Sequence, residues 1–99
     1  MLKIKRGVTP PNLIIAAAAI NAATQINGDF DVVITSGTDG KHKKGSKHYS
    51  GAALDLRISN IPPTQLPIYI KCLKGRLGPD YDVLLESDHI HCEYDPKVL

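Results

Sequence analysis

The sequence predicts an α+β fold, a small and mainly antiparallel sheet with helices packed on one side. Three observations carry this expectation: an alternating strand over Ala52–Ile58, an amphipathic helix over Thr64–Leu77, and the order helix, strand, long loop, strand, helix, strand, strand. For the first helix, Thr9 stands as N-cap before Pro10 and Pro11, and proline suits a first turn. Leu13 to Ile20 is apolar, and Asn21, Gln25 and Asn27 follow at helical spacing. Lys3, Lys5 and Arg6 before that run also allow a signal peptide, but the capping pattern favours the helix. The eight-residue run falls far short of a membrane span.

Gly28 and Asp29 end the helix, and Phe30 to Thr35, with Val32, Val33 and Ile34, reads as a buried strand. Ser36 to Gly51 is then a sixteen-residue loop with four glycines and almost no apolar side chain; loops this long are commonly functional. In the next segment Ala52, Leu54, Leu56 and Ile58 alternate with Ala53, Asp55, Arg57 and Ser59, the period of a half-buried strand. Asn60 to Pro63 turns the chain, Thr64 to Leu77 forms a helix closed by Gly78-Pro79, and Tyr81–Leu85 and His89–Tyr94 are two short strands. Glu86, Ser87 and Asp88 make the turn or bulge between them.

With 99 residues, 42% of them hydrophobic and 22% charged, residues 1–99 suit a single domain with one core. A net charge of +2 lacks the concentrated positive field of a nucleic-acid binder. The two cysteines, Cys72 and Cys92, are too few for a disulfide framework and form no CxxC pair, which points to a reducing compartment. The four histidines are the unusual feature, grouped as His42 and His48 in the loop and His89 and His91 near the end.

His48 precedes Asp55 by seven residues. Imidazole and carboxylate are the ligands of open zinc sites, in which three protein ligands leave a position for water or substrate. Small residues, Gly51, Ala52 and Ala53, leave room for the loop histidine to fold back beside the carboxylate. His89 and His91 are two apart on a strand and share a face, whereas Cys92 faces the other way, as a buried structural thiol. Glu86 and Asp88 supply acids beside the histidines for general-base work. Taken singly, a His near an Asp is usually a surface pair, and His42 among Lys41, Lys43 and Lys44 is usually a solvated residue.

The segment Ser46-Lys47-His48-Tyr49-Ser50-Gly51-Ala52-Ala53-Leu54-Asp55 resembles the SxHxxGxAxD motif of the M15 metallopeptidases, the D-Ala-D-Ala carboxypeptidases and phage endolysins that cut peptidoglycan peptides. Asp88-His89-Ile90-His91-Cys92-Glu93 is similar to the family's second metal motif. The resemblance implies a hedgehog/DD-peptidase-like fold, a Zn2+ cofactor, and His48, Asp55 and His91 as its ligands. It implies a supporting role for His89, at the scissile carbonyl or the oxyanion. It further implies Asp88, three residues before the ligand, as general base, with Glu86 as competitor; were His89 the ligand, Glu86 would take that place. Because a regular strand cannot aim Asp88 and His91 to one side, this reading requires a bulge near Ser87.

Many family members carry an arginine in a Ser-Gly-x-Arg context to hold a substrate carboxylate. Here Ser36-Gly37-Thr38-Asp39 stands instead, leaving His42 or Arg57 to supply that contact, with Ser36 and Ser46 as further substrate-binding candidates. The expected partner is a peptidoglycan peptide, bound by a monomer with no nucleic acid and no membrane insertion. The expected setting is a bacterial or phage-encoded protein made in the cytoplasm and acting on the cell wall. A zinc-stabilised binding module without turnover is the alternative.

Overall fold

The computed structural model describes residues 2–4, 13–36 and 53–95. They form β1 (Leu2–Ile4), α1 (Leu13–Gln25), β2 (Val32–Ser36), β3 (Ala53–Arg57), α2 (Leu66–Leu77), β4 (Tyr81–Leu85) and β5 (His89–Tyr94). Thr9, Pro10, Pro11, His42, Ser46 and His48 lie outside the described residues. The five strands make one sheet in the order β1-β2-β3-β5-β4. All neighbours are antiparallel except β1 and β2. The α+β class, the mainly antiparallel sheet and both helices agree with the sequence expectation.

β1 is the element sequence reading did not anticipate. Its three residues are too few to show a period, and its lysine read as part of a basic stretch. Leu2 nevertheless packs against the core, and Lys3 Nζ pairs with Asp31 Oδ2 at 3.1 Å, just before β2 begins.

α1 is an alanine-rich helix that buries Ile15, Ala16, Ala18, Ala19 and Ala22, a stripe at helical spacing. Its small side chains let α2 come close: Tyr69 is buried and its hydroxyl donates to the Ala19 carbonyl at 3.1 Å. The Phe30 and Tyr69 rings meet in a T-shaped arrangement, with centroids 5.0 Å apart. α1 ends in a left-handed cap at Asn27 (φ 53°), ahead of the expected Gly28. The Asn27 N–H donates to Thr24 and the Gly28 N–H to Ala23, which is the paired bonding of a Schellman ending.

α2 begins two residues later than Thr64, because the Gln65 N–H closes a turn onto the Pro62 carbonyl at 2.8 Å. The Gln65 side chain accepts from the Asp29 N–H at 2.9 Å, tying the start of α2 to the end of α1. Pro67 fits the first turn, and Gly78 (φ 85°) ends the helix with its N–H donating to the Lys74 carbonyl. One face of the sheet gives Val32, Ile34, Leu54, Leu56, Val83, Ile90 and Cys92 to the same cluster as Ile15, Ala19, Tyr69 and Leu73 of the helices. No helix among the described residues is long and apolar enough to cross a membrane. The opposite face of β3, β5 and β4 carries mostly polar side chains, with Ala53 and Leu84 the apolar ones among the described residues.

Candidate metal centre

Alternation along three adjacent strands decides which side chains share that face. Leu54, Leu56, Val83, Ile90 and Cys92 are buried in the core, so Asp55, Arg57, Asp82, Leu84, His89, His91 and Glu93 emerge on the other side. The ladder sets Asp55 across from His91 and Arg57 across from His89. On the far side of β5, Leu84 lies across from His91 and Asp82 across from Glu93.

Four of these groups, with Asp88 from the turn before β5, form a chain of alternating carboxylates and imidazoles. Asp88 Oδ1 lies 2.6 Å from His89 Nδ1, and His89 Nε2 lies 3.7 Å from Asp55 Oδ1. His91 Nδ1 lies 2.9 Å from the same Asp55 oxygen, and His91 Nε2 lies 2.8 Å from Glu93 Oε1. The centre of the chain is the most enclosed, with the Asp55 and His91 side chains 15% and 17% exposed, whereas Asp88 at its end is 84% exposed.

An ionised carboxylate only accepts hydrogen bonds, so a His91 bonded to both Asp55 and Glu93 carries protons on both nitrogens. The hydrogen bond to Asp55 is the main reason its pKa rises to about 9; Glu93 adds to the rise and partial burial opposes it. Cys92, on the buried side of the same strand, is pushed up to about 12, chiefly by burial. It is an inert thiol, as its position in the alternation predicts.

Asp88 corrects one expectation. The β4–β5 register runs unbroken from Tyr81↔Tyr94 to Leu85↔Ile90, with no bulge near Ser87. Asp88 lies in the turn before β5 begins, so strand alternation does not govern where its side chain goes, and it reaches His89 from there. The Glu86 N–H donates to the His89 carbonyl at 2.8 Å and closes the same turn, leaving an exposed side chain. Of the two acids, Asp88 is the one in contact with the chain of alternating groups. The register irregularity falls instead in β2, between Ile34 and Ser36, and sets Ser36 opposite Asp55. His42, Ser46 and His48 are outside the described residues.

Asp55 and His91 are of the ligand types that zinc takes. Two ligand atoms each about 2.0–2.1 Å from a tetrahedral zinc are about 3.3 Å apart. The one described pair of implied ligands, Asp55 Oδ1 and His91 Nδ1, is 2.9 Å apart, hydrogen-bonded as it stands. The metal would take the place of the proton on His91 Nδ1, leaving Nε2–H bonded to Glu93, the outer carboxylate that fixes a ligating imidazole. Glu93 is the partner of His91 that sequence reasoning did not single out, although its position two after His91 puts both on one face. Glu93 also forms an acidic group with Asp82 and Asp95, their oxygens within 4.8 Å of one another.

Compared with known proteins, the chain matches no family model and no curated protein at a significant level.

Proposed function

We propose that this protein is a zinc peptidase of the M15 type, on a hedgehog/DD-peptidase-like fold, that hydrolyses an amide bond in peptidoglycan stem peptides. The observation that carries the reading is the contact of Asp55 with His91, which unites two motifs 36 residues apart in one enclosed carboxylate–imidazole pair. Asp55, His91 and the loop residue His48 would hold the metal. Zinc so bound polarises a carbonyl and lowers the pKa of a water toward about 7.

The chain's own groups do the rest. Asp88 takes a proton from the attacking water and passes it to the leaving amine, and its bond to His89 holds it in place for this. His89, between Asp88 and Asp55, donates to the oxygen on which charge develops. Glu93 fixes the His91 ring. Arg57, exposed and across from His89, is suited to hold a substrate carboxylate where the Ser-Gly-x-Arg arginine is missing. His91 serves as ligand in preference to His89 because it lies closer to Asp55 and is the more enclosed. The proposed setting is a bacterial or phage-encoded protein acting on the cell wall.

Incubating the zinc-loaded protein with purified peptidoglycan tests the reading. New amino groups are expected. A protein that binds zinc but leaves every stem peptide intact is instead a binding module, the outcome favoured by the missing arginine.

A further inference from the structure

Leu84 is the exposed apolar residue on this face among the described residues of β3, β5 and β4. It is 49% exposed and sits on the same rung as the candidate metal pair, with Asp55 and His91 paired in one ladder and His91 and Leu84 in the next. Residues directly opposite in antiparallel strands have Cβ atoms about 5 Å apart, so the isobutyl group stands beside the His91 ring. Its neighbours on that face, Asp82, Glu93 and His89, are all polar or charged.

A single exposed leucine is ordinary, and outer strands usually carry charge to discourage pairing. Its rung is what gives this one a role. A peptide held with its scissile carbonyl over Asp55 and His91 and running across the strands lays a flanking residue toward β4, where Leu84 offers a non-polar contact. We infer that Leu84 is a specificity-determining residue, packing against the aliphatic side chain of the peptide residue next to the cleaved bond. This rests on the peptidase reading. A methyl or larger aliphatic group is favoured there over glycine, because water leaves both surfaces when they meet.

The test uses a synthetic stem peptide with alanine next to the cleaved bond and its analogue with glycine there. Affinity for both is measured on zinc-loaded Asp88→Ala protein, which should not consume the peptides, with Leu84 intact and as Leu84→Ala. One buried methyl is worth about 0.8 kcal/mol, or about fourfold in affinity. About a fourfold preference for the alanine peptide is expected with Leu84 intact, and none in Leu84→Ala. A preference that survives the substitution, or no preference with Leu84 intact, overturns the inference. Zinc content and amine release, measured on wild-type protein, separate the two failures. Absence of zinc and of cleavage sinks the peptidase reading and this inference with it, whereas zinc binding and cleavage without a Leu84-dependent preference sink the inference alone.

Discussion

Asp55 and His91 stand directly opposite each other in the β3–β5 ladder, with the carboxylate Oδ1 2.9 Å from the imidazole Nδ1. The ladder fixes this contact through backbone hydrogen bonds, and Leu54, Leu56, Ile90 and Cys92 anchor it from the core side. A one-residue slip would turn both groups into the core and the leucines into solvent, so burial of one face holds the site of the other in register.

The turn before β5 separates the roles of the two acids. Asp88 touches His89, and Glu86 is an exposed side chain of the same turn. Asp88→Ala is expected to lower kcat at least about a hundredfold, the scale of general acid–base catalysis, with zinc retained. Glu86→Ala is expected to stay close to wild type. Amine-release kinetics on both variants, with zinc content determined alongside, check this; the reverse ranking would assign the base to Glu86.

Glu93 is expected to act as a positioning residue. Glu93→Gln keeps the shape but loses the charge that steadies the His91 ring, and removal of such a partner typically weakens metal affinity by about 10- to 100-fold. Competition with a chromophoric chelator measures that loss. Asp82→Asn changes a group that lies across the ladder from Glu93 rather than from His91, and should leave zinc affinity nearly unchanged.

The metal-free protein is expected to lose stability as pH rises. His91 has a folded pKa of about 9 against an ordinary value of 6.5. Below pH 6.5 both folded and unfolded chains hold the proton, and the stabilisation is fully present. As pH rises to about 9 the unfolded chain has released its proton while the folded chain still holds it, so stability falls, and beyond that the contribution is gone. Because the group is only partly enclosed, the loss is of order 1–2 kcal/mol. Urea unfolding of chelator-treated protein between pH 6 and 9.5 should show this decline, and His91→Gln should flatten it. A wild-type profile as flat as the variant's would contradict the assignment.

Much of this was legible in the sequence because apolar residues alternate along β3 and β5. Leu54, Leu56, Ile90 and Cys92 had to face the core, which put Asp55, His89 and His91 together on the other side. The bulge expected near Ser87 is not needed because Asp88 belongs to the turn before β5, where strand alternation does not apply. β1 escaped because three residues cannot show a period. Glu93 carried the same-face spacing that marked the histidines, but a carboxylate near a strand end also reads as ordinary surface. The contact between Asp55 and His91 depends on which strands are neighbours, and the order β3-β5-β4 follows from packing the whole sheet against α1 and α2.

Zinc-edge X-ray absorption of the zinc-loaded wild-type protein tests the central claim most directly. The account predicts one zinc per chain with nitrogen and oxygen ligands only, at about 2.0–2.2 Å, two of them imidazoles. Failure to retain stoichiometric zinc, or a sulfur ligand at about 2.3 Å, would contradict it.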